Sequence, residues 1–278
     1  ERLVEGAATN PDLLASYAGL LAASGQESEA DAVLGALAAE SVDWARRYIG
    51  VAGALASQPD ARRDWLRRSA PIAARFDGLN LTLGNEWRLL AQRTANPADY
   101  EEAARLLEAA SQSTPSTELS IMIAECHSGA ARPAEAERSY RQALAKAEDP
   151  IALNNLASLI ATNRPTDPEA AKLAARAVEI VRAARVPPDA LAPFLDTLGY
   201  AQLRAGQPTP AIATFREALK LSPSLPDSLV GLAEALLATG DTGGARDAVR
   251  RARALPSLGN ELAERAGAVE RALASEPR

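Results

Sequence analysis

The segment LGYAQLRAGQPTPAIATFREALKL, residues 198–221, aligns with LAEALLATGDTGGARDAVRRARAL, residues 232–255, at an offset of 34 residues. Leu198-Gly199 falls on Leu232-Ala233, Gly206 on Gly240, Ala211 on Ala245, Phe215 on Val249, Ala218 on Ala252 and Leu221 on Leu255. A period of this length reads as stacked helical hairpins rather than a closed catalytic core, because one hairpin cannot bury its apolar face alone. Chains of that kind hold other molecules and seldom carry out chemistry.

The unit at 193–226 gives the local reading. Leu195, Leu198 and Gly199 share a face of a first helix. Gly206 is expected to end it in a left-handed conformation. Thr209 is expected to cap a second helix that opens with Pro210 and carries Ala211, Phe215, Ala218, Leu219 and Leu221, with Pro223 as its stop. Gly199, Ala211 and Ala218 are small where the helices cross, and Leu198 and Phe215 are large where a gap must be filled.

Composition supports a helical stack. Hydrophobic residues make up 47% of the 278-residue chain but aromatics only 4%, so alanine and leucine, both strong helix formers, supply most of the apolar mass. Lysine occurs only at Lys146, Lys172 and Lys220. The remaining basic residues are arginine, as expected of a bacterial chain from a GC-rich genome. The net charge of −6 argues against a phosphate-binding stripe, and no nucleic-acid partner is expected. No apolar run reaches the length of a membrane span. Cys126, the single cysteine, leaves no intrachain disulfide framework and is compatible with cytoplasm or periplasm. The sequence opens Glu1-Arg2-Leu3 without methionine, which is the expectation for an excerpt of a longer protein, so the compartment stays undetermined.

Leu198-Gly199, Ala211, Phe215, Ala218 and Pro223 together resemble the tetratricopeptide repeat signature, as do Leu232-Ala233, Ala245, Val249 and Ala252. Trp87, Leu90-Ala91, Ala103, Leu107, Ala110 and Pro115 form a third match, with Asp99-Tyr100-Glu101-Glu102 entering its second helix. Looser units lie at 119–150, 151–186 and 11–41, and a degenerate one at 42–71 (Trp44, Tyr48, Ala61, Trp65). The resemblance implies an all-α, right-handed α-α superhelix of about seven hairpins. A C-terminal capping helix follows, built on Leu262, Ala266, Val269 and Leu273, with Glu261, Glu264, Arg265, Glu270 and Arg271 on its wet side. The period fails between Phe76 and Asn85, so the expected division is 1–86, degenerate hairpins and a linker or hinge over residues 72–86, and 87–278, regular repeats plus cap.

Candidate chemistry is sparse, and no enzyme activity, cofactor or metal is expected. His127, the only histidine, neighbours Cys126, but adjacent helical residues do not face one another, and its position suits a bulky filler. Zinc would need more ligands of the right type. Gly240-Asp241-Thr242-Gly243-Gly244 lacks the Lys-Ser or Lys-Thr of a phosphate loop and reads as an interhelical turn. Arg62-Arg63 and Arg67-Arg68 flank Trp65 and read as a solvated face or, more sharply, as a small anionic docking patch.

The family resemblance implies a concave groove lined by first helices, taking a peptide or helix from a protein partner. Carried over unit by unit, it selects Arg46, Arg88, Gln92, Glu125, Asn154, Ser158, Asp196, Tyr200, Arg204 and Glu234 as partner-binding residues. Tyr200 and Arg204, four apart on one helix, are residue types that dominate binding energies. The family's clamp for chaperone C-terminal carboxylates is matched only by Asn155, since Ile121, Glu125, Pro193 and Thr197 stand where basic and amide residues belong. The expected function is a non-catalytic interaction module or scaffold. The alternatives are a self-associating spacer in a bacterial envelope or polysaccharide-export system, or a regulatory arm of a larger enzyme.

Overall fold

The computed structural model describes residues 10–275, so residues 1–9 of the expected N-terminal division lie outside the described residues. Among the described residues fifteen α-helices follow one another: α1 (Pro11–Ala23), α2 (Glu27–Ala38), α3 (Val42–Gly50), α4 (Pro59–Ala73), α5 (Leu79–Thr94), α6 (Pro97–Ser113), α7 (Thr117–Gly129), α8 (Pro133–Lys146), α9 (Pro150–Asn163), α10 (Pro168–Ala183), α11 (Pro188–Arg204), α12 (Pro208–Leu221), α13 (Pro226–Ala238), α14 (Thr242–Arg253) and α15 (Asn260–Ser275). No strand occurs among the described residues. Among the described residues, consecutive helices pack as antiparallel hairpins, α1 with α2, α3 with α4 and α5 with α6 in the first unit and α9 with α10, α11 with α12 and α13 with α14 in the second, where α15 closes against α13 and α14. Two compact units result, Glu1–Ala143 and Leu144–Arg278.

The helix starts are written locally. Pro stands at the first position of α1, α4, α6, α9, α10, α11, α12 and α13, where its missing N–H costs nothing. Asn10, Ser41, Asn96, Ser116, Asp149, Asp167 and Asp241 cap helices with their side chains. Helix α12 departs from the expected start. It opens at Pro208, not Pro210, and Gln207 occupies the cap position without a side-chain hydrogen bond. The turn is tight because Gly206 takes φ +74° and the Gln207 N–H donates to the Gln202 carbonyl at 2.9 Å, leaving no residues for a Thr209 cap.

In the first unit a continuous core runs from Leu14 to Cys126. Its second hairpin is the degenerate one: α3 gives way to a 3-10 turn, Val51–Gly53, before α4 begins. Aromatic packing compensates. Trp65 stacks on Tyr48 with ring centroids 4.6 Å apart, and its indole N–H donates to the Tyr48 carbonyl at 2.8 Å. Tyr48 donates its hydroxyl to Asp31 of α2, and burial is the main reason its pKa is raised.

Residues 86 and 87, the expected division, lie inside α5, and Leu79 and Leu83 of the aperiodic stretch are fully buried. The period fails there because α5 carries an extra N-terminal turn, not because packing stops. The arginines beside Trp65 also differ from a solvated face. Arg62 is buried and donates to Glu86 at 2.7 Å, while Arg63 forks onto both carboxylate oxygens of Asp99 at 2.8 Å each. These pairs fasten α4 to α5 and α6. Arg67 and Arg68 stay exposed, with Arg68 over the Trp65 ring at 5.8 Å.

In the second unit one residue sets the helix spacing. Phe215 of α12 is buried with its ring between Gly199 of α11 and Gly231 of α13. A Cβ on Gly199 would meet the ring at 2.8 Å and one on Gly231 at 2.4 Å. Neither glycine has room for a methyl group.

Two outcomes test this account. Gly231→Ala is expected to lower unfolding free energy by about 1–3 kcal/mol in urea titration, through overpacking. Gly243→Ala, whose Cβ would meet only Asp241 at 3.8 Å, serves as the control and should not destabilise. Asp99→Ala is expected to cost about 2–3 kcal/mol, because it leaves the Arg63 guanidinium without its main partner; Asp99→Asn should cost less.

Candidate functional site

In the second unit the first helices pack in a row, α9 on α11, α11 on α13, and α13 on α15. Their side chains form a connected polar face. Tyr200 of α11 lies under two guanidinium groups, Arg204 at 6.0 Å from the ring centroid and Arg265 of α15 at 5.5 Å. Arg265 forks onto Glu234 of α13 at 3.0 and 2.8 Å. Next to this array, Ser228 of α13 donates to Asp196 of α11 at 2.6 Å. Tyr200 is half-buried and Arg204 exposed, so an aromatic face and a cation remain available to a partner.

Asp196 has unusual electrostatics. Burial pushes its pKa up to about 6, with Asp227 adding to the rise while the Ser228 hydroxyl and Arg265 oppose it. A carboxyl whose folded pKa exceeds its unfolded value favours the folded state at low pH. That contribution is complete below the ordinary carboxylate pKa of 3.8 and is lost as pH rises through about 6.

The remaining residues selected from sequence fall into separate places. Asn154 and Ser158 are half-buried on α9, and Asn154 donates to Asn155 at 3.5 Å while its buried Oδ1 has no partner. In the first unit, Arg88 of α5 lies 3.6 Å from Glu125 of α7 and donates to Asn85 at 3.0 Å. Burial raises the Glu125 pKa and Arg88 lowers it. Gln92 is exposed on α5, and exposed Arg46 pairs with Asp43 at 3.1 Å on α3. Arg46, Arg88, Gln92 and Glu125 thus belong to one unit and the other six to the second.

Sequence reading missed Arg265, which it set on the wet side of the cap, and Ser228. A signal for both existed. Cross-helix pairs recur at roughly one repeat length: Asp12–Arg47 at 35 residues, Glu101–Arg132 at 31, Arg182–Glu217 at 35, Glu234–Arg265 at 31 and Asp196–Ser228 at 32. An acid and an arginine so spaced fall on facing sides of successive hairpins.

The other candidate groups are structural. His127 is buried with Nε2 2.9 Å from Glu108, and burial pushes the Cys126 thiol up to about 12, far from a reactive thiolate. Asp241 of the glycine-rich turn caps α14 by accepting from the Gly244 N–H at 2.8 Å. Among the described residues no group of three or more His, Cys, Asp or Glu side chains could hold a metal ion, and no helix is long and apolar enough to cross a membrane.

An open series of helical hairpins with a polar first-helix face defines a repeat protein of the interaction-scaffold class, which is in general non-catalytic. Residues 197–258 match the tetratricopeptide repeat family model, so this stretch of the second unit carries tetratricopeptide repeats. Over 98% of its length the fold is similar to that in the crystal structure of the APC/C hetero-tetramer Cut9-Hcn1, at 17% identity and a TM-score of 0.60. The chain spans about half, 51%, of that longer chain. It is also similar over 69% of its length to PilW, a widely conserved type IV pilus biogenesis factor (23% identity, 89% of that chain, TM-score 0.52). The pilF protein of Pseudomonas aeruginosa is matched over the same 69% (20% identity, 87% of that chain, TM-score 0.51). At these identities the likeness is one of fold. No curated protein matches the chain.

A pH measurement tests the Asp196 environment. Asp196→Asn keeps an acceptor for Ser228 and removes the buried charge. It is expected to stabilise the protein by about 1–3 kcal/mol at pH 8 and to lose that advantage at pH 4, read as the difference in Tm between variant and wild type.

Proposed function

We propose that the chain is a protein-interaction module whose first-helix face in the second unit binds a peptide or helix of a partner protein. The observation that carries the reading is the Tyr200 ring, held by Arg204 and Arg265 at 6.0 and 5.5 Å from its centroid while Glu234 anchors Arg265. Tyrosine and arginine held by neighbours give up little conformational freedom on binding, which is what hot-spot residues require. Asn154 and Ser158, half-buried on α9, extend the same row of helices. The mix of acids, amides and arginines favours a partner of mixed charge over a polyanion. Arg46, Arg88, Gln92 and Glu125 form a separate candidate surface on the first unit.

The test is affinity capture from lysate of the source organism with wild-type bait and a Tyr200→Ala/Arg204→Glu control. A partner held by the wild type should bind the control more weakly by more than about 2 kcal/mol, measured afterwards with purified components, while helicity is unchanged. Recovery of the same proteins by both baits would reject the first-helix face. Recovery of the bait alone, with a mass that rises with concentration, would point to self-association instead.

A further inference from the structure

The opposite side of the second unit carries a different surface. Helices α12 and α14, the second helices of their hairpins, flank a cleft of about 370 Å³ whose floor is Leu232 and Leu236 of α13. The α12 wall presents Arg216, Leu219 and Lys220, and the α14 wall Gly244, Asp247, Ala248 and Arg251. Leu219 and Lys220 stand three and four residues after Arg216, and Asp247, Ala248 and Arg251 three, four and seven after Gly244, so each wall is one stripe of its helix.

Charge distinguishes this cleft from one in the first unit. There, a cleft of about 390 Å³ between α6 and α7 is lined by Glu101, Glu102, Arg105 and Arg132, among others. Its arginines are satisfied: Arg132 pairs with Glu101 and Arg105 with Glu102. In the α12–α14 cleft, Arg216 and Lys220 are exposed and have no ion-pair partner among the described residues. Arg251, also exposed, makes only a 3.5 Å bond to the Pro223 carbonyl. Asp247, the one acid of the lining, is paired with Arg250 outside the cleft. Three unneutralised cations therefore surround a leucine floor in a chain whose net charge is −6.

We propose that the α12–α14 cleft is a second docking site, for a short acidic peptide segment that seats an apolar side chain over Leu232 and Leu236 and sets carboxylates against Arg216, Lys220 and Arg251. From Gly244 to Arg251 the α14 wall runs about 10 Å, two helical turns. That length holds about three extended residues, enough for one apolar anchor between two acids. Small Gly244 and Ala248 leave the anchor room to enter. Arginine supplies forked hydrogen bonds to each carboxylate, which favours acids over a neutral peptide. The site stands apart from the first-helix face and does not rest on it.

The test is fluorescence anisotropy of the full chain with a short labelled peptide alternating leucine and glutamate. Saturable binding is expected, weakening as salt is raised and at least about tenfold in Arg216→Glu/Arg251→Glu, whose exposed positions leave the fold intact by circular dichroism. The milder Arg216→Gln should fall between the two. Tyr200→Ala/Arg204→Glu should bind as the wild type does. The proposal is overturned by absent binding, by equal binding to the charge-reversed variant, or by loss of binding in the Tyr200 variant, which would seat the peptide on the other face. Equal binding of a peptide with serine for leucine, or of a single-stranded oligonucleotide, would also overturn it, by reducing the cleft to a general polyanion contact.

Discussion

Close approach of helix backbones is the constraint on which the second unit depends. A chain whose apolar mass is alanine and leucine fills space only if its helices lie near one another, since short side chains cannot bridge a wide gap. The Phe215 ring between Gly199 and Gly231 sets that spacing for three helices at once. Tyr100 against Gly129 repeats the arrangement in the first unit, where a Cβ on the glycine would meet the ring at 2.6 Å. Large residues are few, so each fixes more of the geometry than it would in an aromatic-rich core.

Where the repeat degenerates, other interactions take over the same task. The second hairpin has a short first helix that runs into a 3-10 turn, and the Tyr48–Trp65 stack packs within it. Arg62 and Arg63 then tie α4 to its successors through Glu86 and Asp99. A buried guanidinium is costly unless each charge is met, and here it is met by acids on the next hairpin. The ion pairs thus add to the apolar packing that holds successive hairpins together.

The two surfaces of the second unit differ in how their charges are used. On the first-helix face, Arg265 is engaged by Glu234 and braces Tyr200, so the face is organised before any partner arrives. On the second-helix face, Arg216, Lys220 and Arg251 are paired with no acid among the described residues. A preorganised aromatic face suits a specific partner segment, whereas exposed cations around a leucine floor suit an acidic one. The two proposed sites lie on opposite faces of the same two hairpins, α11–α12 and α13–α14.

The sequence by itself determined the helical-hairpin repeat, the positions of most turns and the roles of Gly199 as a small residue at a helix crossing and Phe215 as a large filler. Those follow from short-range chemistry: proline at first helical positions, glycine at Gly206, and small and large residues recurring at one offset. It also ranged Tyr200 and Arg204 on one face, which needs only helical spacing. Tertiary structure decided the rest. The broken period around Asn80 is an extra turn of a buried helix, and a missing repeat register could not distinguish that from a linker. Arg265 faces inward because the cap packs one particular side against α13, and the sense of that rotation is set by contacts rather than by the helix's own pattern. Asp196 acquires its raised pKa from burial beneath α13, a property that a carboxylate in sequence does not announce.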